Sequence, residues 1–307
     1  MSSTENYVTQ ASLLDTTYAM IALTSTFMVA RISIQVLHPK KLAAEDYLIY
    51  LAYILYIIMA VLYILVTPTI YKTSAVTAGR IPPYATIMAD YLFIIKIFFV
   101  NTEVFWLVLW SVKFSLLAFY RRLLAGLHTV YIKLWWGVLV FCIVTLIGCI
   151  VSNFTSCSSM HAWFTPGACA TPRDVQAQIA SLYYSYAVDV LSDLMIMGLP
   201  IQLIWKLQMP WSQKISVIAL FCTGFVCITF ATLRVVEVGM KSGSSSTPSS
   251  SWLALWAVIE CSIAIIIGCC PAFAALYRQA RNTQKASYDP RGYSKQPSDS
   301  HRSGTPV

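Results

Sequence analysis

The sequence predicts an all-α polytopic membrane protein of seven transmembrane helices, with the N-terminus outside and the C-terminus cytoplasmic. Three observations carry that reading. Of 307 residues, 58% are hydrophobic and only 11% charged, with a mean hydropathy of +0.66, more apolar surface than a soluble fold can hide. Apolar runs near twenty residues, the length that crosses a bilayer, recur seven times. Lys and Arg crowd the segments between alternate runs, which fixes the orientation.

The runs are expected at 16–37, 46–66, 88–119, 132–152, 179–205, 214–237 and 252–277. Residues 1–15 form a short outer N-terminus; with Glu5 and Asp15 and neither Lys nor Arg, they do not read as a signal peptide. Connectors carry turn residues: HPKK at 38–41, GRIPP at 79–83, TPGA at 165–168 and MPWSQK at 209–214. The third run anchors the chain. Met88 to Tyr120 holds neither Gly nor Pro and ends on Arg121 and Arg122. As a helix it measures about 48 Å, against about 30 Å of hydrocarbon, so it must tilt or project. The low-complexity stretch 242–251 has nothing apolar to bury, and 281–307 is expected to be a disordered cytoplasmic tail after a membrane domain spanning 16–280.

With the N-terminus outside, the inner segments hold Lys40, Lys41, Arg121, Arg122, Lys133, Lys206, Lys214 and six tail cations. The outer segments hold only Lys72, Arg80, Arg173 and Lys241. The positive charge therefore orients the chain and meets anionic lipid; it does not indicate nucleic acid. This topology places Cys157 and Cys169 in one outer loop facing an oxidising compartment, where a disulfide is expected. The other seven cysteines fall in helices as small apolar packers. Asn153-Phe154-Thr155 is a glycosylation sequon hard against the membrane end of the fourth helix, a poor position for use. His38, His128, His161 and His301 are scattered over loops and tail, and no metal or cofactor motif appears.

Ionisable groups inside the spans are costly and mark candidate sites. Glu103, Trp106 and Trp110 share one face of the third helix, and Asp189 and Asp193 one face of the fifth. Glu260 lies in the outer half of the seventh, with Trp256 one turn before it. Glu103, Trp106, Trp110, Asp189, Trp256 and Glu260 are the candidate ligand-binding set: carboxylates and tryptophan faces around an outward-opening cavity suited to an amphiphilic or cationic ligand. Arg31 with Asp193, at similar depth counted from the outer boundary, and Arg234 with Glu237 are the candidate structural ion pairs. Lys96 and Lys113 are expected to snorkel. The alternative to a ligand site is polar glue that registers the helices.

Six stretches resemble the fungal rhodopsin-domain proteins, which include the Pth11-like and SAT4-like receptors. EDYLIYLAY (45–53) follows a first helix bearing Arg31. The third helix closes on KFSLLAFYRRL (113–123), and the outer loop reads C-x5-W-x5-C through Cys157, Trp163 and Cys169. VLSDLMIMGLPIQLIWKL (190–207), a K-x9-G-x9-R run through Lys214, Gly224 and Arg234, and WAVIECSIAIIIGCCPAF (256–273) complete the series. The resemblance implies a receptor for a small ligand, at the plasma membrane rather than an endomembrane, with a heterotrimeric G protein as possible inner partner. Lys113, Tyr120, Arg121 and Arg122 then form the cytoplasmic coupling surface. The Asp-Arg-Tyr order of animal receptors is absent, and no cysteine-rich segment precedes the first helix, so that kind of ligand-capturing module is not expected. The last helix has no Lys for a retinal Schiff base, so no cofactor is expected.

Two other classes stay open. An intramembrane cyclase or isomerase would use Asp189, Asp193, Glu103 or Glu260 as a protonated acid; no catalytic residue is assigned otherwise. A transporter stands third, because the helices lack paired Gly/Pro breaks.

Overall fold

The computed structural model describes residues 8–37, 42–124, 129–206 save 166 and 170, the isolated positions 224, 225, 228, 229 and 232, and 250–287. Among them are seven helices and no strand: α1 (Gln10–Leu37), α2 (Ala44–Thr77), α3 (Ile87–Leu123), α4 (Thr129–Thr155), α5 (Met160–Trp163), α6 (Pro172–Lys206) and α7 (Ser250–Ser287). Five of them, α1 to α4 and α7, are long and apolar enough to cross a membrane. The sixth apolar run, 214–237, lies outside the described residues except at the isolated positions, as does the tail beyond 287.

The helices run longer than their apolar cores. At 34 residues α2 spans about 50 Å, continuing eleven residues past its expected end and through Pro68. Its start is held by Asp46, whose Oδ2 accepts the Ala43 N–H at 3.1 Å. α3 is a 37-residue helix that closes on Arg121 and Arg122, cations placed where the helix dipole favours them. α7 extends ten residues beyond its expected end, since no breaker stands between Pro271 and Pro290. At the turn between α2 and α3, Tyr84 donates to Asp90 Oδ2 at 2.5 Å. That bond pushes its phenol up to about 12, and the Lys72 ammonium lies 3.8 Å over its ring.

α3 packs along α2 and also touches α4, α6 and α7; α1 lies against α7 and α2, and α6 against α4 and α3. The core is built on the inward faces of these helices, with Tyr56, Met59, Trp110, Leu117 and Ile265 sealed from the surface. Outward faces stay apolar, as at Ile54, Leu65, Val140 and Val144, which suits lipid rather than water. Without a water-driven hydrophobic effect between spans, polar contacts and close packing register the helices. Ser262 donates to Tyr56 Oη at 2.7 Å, Trp110 Nε1 to the Cys142 carbonyl at 2.8 Å, and Trp135 Nε1 to the Leu117 carbonyl at 2.8 Å.

Candidate functional site

The most heavily charged point of the described core is Lys113, buried ten residues before the end of α3. Its ammonium donates to Asp189 Oδ1 at 2.7 Å, to Ser192 Oγ at 2.7 Å and to the Asp189 carbonyl at 3.0 Å, and stands 3.0 Å from Asp193 Oδ1. The Trp110 ring lies 4.7 Å behind it. The geometry follows from helical spacing: Asp189 and Asp193, four residues apart, project from one face of α6, and Ser192 stands beside them. Expected to snorkel, Lys113 instead turns inward. Two carboxylates across the helix interface hold it there.

This knot borders a cavity between α3, α6 and α7, reached also by Gly224. Lys113, Asp189, Asp193, Glu260 and Tyr120 supply its polar atoms, and Val112, Leu116, Ile196 and Ile267 much of its apolar wall. Its interior offers about 50 Å³ to the centre of a water-sized sphere. Among the three ionic side chains Asp193 is the most open, at 17% against 5% for Asp189 and 7% for Lys113.

The structure brings together Asp189 and Glu260 of the expected ligand set and separates the rest. Glu103 does not line the cavity, whose first residue on α3 is Leu109, about 9 Å further along the axis. It accepts instead from Asn153 Nδ2 at 2.7 Å, the sequon asparagine of α4. Trp106 and Trp110 are core residues, 6% and 0% exposed, packed edge to face at 5.6 Å. Trp256 is half-buried and stacks on Trp252 at 5.3 Å, away from the cavity wall.

Two further expectations need correcting. Arg31 does not meet Asp193. It bonds Asp46 Oδ1 at 2.8 Å and the Gly268 carbonyl at 2.8 Å, because α1 packs on α2 and α7 whereas α6 packs on α3 and α4. Equal depth was satisfied; lateral position was not. Lys113 and Tyr120, expected on the coupling surface, are buried in the core, while Arg121 and Arg122 at the end of α3 are exposed. Arg122 reaches Glu45 at 3.6 Å, and Arg121 lies 5.5 Å over the Trp135 ring. The Arg234–Glu237 pair lies outside the described residues.

Between α4 and α6, Cys157 and Cys169 are joined, as expected from their shared loop, with Cα atoms 5.6 Å apart. The bridge holds α5 against α3: Phe99 meets Phe154, Trp163 and Phe164 edge to face at 5.1, 5.3 and 5.6 Å. Sequence reasoning missed Ser192 as a ligand of Lys113 and Asp46 as the partner of Arg31. Both were visible in the stretches that carried the resemblance, VLSDL and EDYLIY, but only as motif letters.

The profile of the fungal rhodopsin domain matches residues 30–279. A SAT4 family membrane protein of Emericella nidulans is 32% identical over 93 residues, covering 30% of this chain and 22% of that protein. Receptor GIN3 of Arthrobotrys oligospora is 28% identical over 185 residues, 59% of this chain and 43% of that protein. Fugralins biosynthesis cluster protein 2 of Gibberella zeae is 27% identical over 106 residues, 33% and 26% of the two chains. The alignments span less than half the length of each of these relatives. No solved structure matches the chain.

Proposed function

The chain belongs to the fungal rhodopsin domain family, and from that premise we propose that it is a receptor-like protein of seven spans that senses a small ligand in the α3–α6–α7 cavity. In this reading 214–237 supplies the remaining span, α6 crosses as the fifth, residues 16–280 form the membrane domain, and the plasma membrane is its site. The observation that carries it is the Lys113–Asp189–Asp193 knot on the cavity wall. An occupant there touches three helices at once, and only unequal affinity for two packings of those helices can turn occupancy into a signal. The inner end of α3 carries Arg121 and Arg122, which offer a cationic surface to a cytoplasmic partner such as a heterotrimeric G protein. Support also comes from the relative named as a receptor.

The test is expression of the full chain in a yeast pheromone-pathway reporter carrying chimeric Gα subunits, screened against fractionated small molecules. A response lost in Asp193→Asn at unchanged surface level supports the reading. No response with any Gα chimera, at proven surface expression, counts against it.

A second reading, an intramembrane enzyme, is favoured by one observation: a relative is named for a biosynthesis cluster. Its acid would be a protonated carboxyl. Both carboxyls are instead engaged by the Lys113 ammonium, Asp189 as its hydrogen-bond acceptor and Asp193 as its ion-pair partner. Accumulation of one precursor in a deletion strain, copied by Asp189→Asn/Asp193→Asn, would establish the enzyme and remove the receptor.

A further inference from the structure

We infer that the α3–α6–α7 cavity is shaped for a short primary ammonium ion, anchored by its head on Asp193 with its carbon chain along the aliphatic wall. The inference rests on the proposed reading only in taking this cavity as the ligand site. It starts from donors and acceptors. A lysine ammonium has three protons. Those of Lys113 face Asp189 Oδ1, Ser192 Oγ and Asp193 Oδ1 at 2.7, 2.7 and 3.0 Å, with the Asp189 carbonyl a fourth acceptor at 3.0 Å. No donor of Lys113 is left for an incoming anion, which would also approach two carboxylates.

Acceptor capacity, by contrast, is in surplus. Two carboxylates offer about eight lone-pair sites, and the knot of one ammonium with two carboxylates is formally one unit negative. Asp193 is the least buried of the three side chains and lines the cavity. A ligand that brings hydrogen-bond donors and one positive charge therefore complements the site, and in a low-dielectric interior that charge match outweighs what the same donor on a neutral alcohol supplies.

Size narrows the class further. An interior of that size suits a small head with a short carbon chain, not a bulky amphiphile. Val112, Leu116, Ile196 and Ile267 give those carbons an apolar wall. Ala264 lies on the same wall, so enlarging it occupies the volume without touching the ions.

The experiment measures thermal unfolding of the purified full chain in lipid nanodiscs at constant ionic strength, titrated with methyl- to hexylammonium chloride. Sodium chloride, tetramethylammonium chloride and alkanols of matched length serve as controls. The expected result is a saturable rise in Tm of about 3–5 °C, greatest near ethyl- to propylammonium and at least tenfold weaker in concentration for the alcohols. Asp193→Asn is expected to shift the midpoint at least tenfold to higher concentration, and Ala264→Phe to abolish the rise. If Asp193→Asn does not fold, Ala264→Phe carries the test alone. The inference is overturned by no saturable rise in the wild type, by equal potency of alcohols or sodium, or by an undiminished rise in the variants. Saturable binding without any signalling output would remove the receptor reading and leave this one standing. A signalling response retained in Asp193→Asn would do the reverse.

Discussion

Lys113 shows what a single charge does when its alternative is hydrocarbon. The side chain is long enough to reach for an interface, yet it bonds Asp189 and Ser192 and pairs with Asp193 within the core. Removing one partner of a buried pair leaves the others uncompensated, at a cost of about 3–5 kcal/mol. Lys113→Met is therefore expected to lower the thermal stability of the solubilised protein sharply, and Lys113→Met/Asp189→Asn/Asp193→Asn to restore most of it. Were the triple variant no better than the single one, the knot would not be the source of the loss. Asn153 gives a second test at this scale. Its amide is helical and donates to Glu103 at 2.7 Å, so the sequon is closed to glycosylation. Asn153→Gln and glycosidase treatment should both leave electrophoretic mobility unchanged; a shift would place that helix end well outside the membrane.

At the scale of elements, α7 is the helix whose packing depends most on what it lacks. Pro271 has no N–H to give the carbonyl one turn back, and Arg31 donates to the neighbouring carbonyl of Gly268, tying α1 to the turn that the proline opens. Gly268 also faces Ile49 of α2 at a distance that leaves no room for a Cβ. Gly268→Ala requires the Ile49 δ-methyl to swing aside and is expected to cost about 1 kcal/mol by overpacking, read as a fall in Tm. Ala→Gly changes on the lipid-facing side of α7 lack that contact. At the other end the disulfide closes a loop over twelve positions, which limits its stabilisation to about 3 kcal/mol. Reduction is expected to loosen the contact of α5 with Phe99 and lower Tm, with Cys157→Ser insensitive to reductant. A fall in Tm of equal size on reducing Cys157→Ser would show that the effect lies elsewhere.

For the molecule as a whole, orientation is the property with the plainest test. With cations concentrated on the inner segments, an N-terminal epitope is expected to be accessible on intact cells and a C-terminal one only after permeabilisation. The reverse pattern would put Arg121 and Arg122 outside and end the receptor reading. Much of this level was legible in the chain. Helices stand where the first five and the last apolar run were expected, because twenty apolar residues in lipid leave the backbone no other way to satisfy its hydrogen bonds. Cys157 and Cys169 were paired on the same ground, being the two cysteines in one outer loop. The helix ends were less legible, since α2 and α7 continue into polar sequence that nothing interrupts.

The sequence by itself determined that the chain is helical and membrane-embedded, which family it belongs to, and which ionisable residues must find partners inside. Only the tertiary structure decided who those partners are. Arg31 and Asp193 share a depth, and so a one-dimensional count matched them; their helices stand on different sides of α3, and Asp46 and Lys113 took their places. Hydropathy measures position along the membrane normal, whereas pairing is settled in the plane of the membrane, by which helices lie side by side.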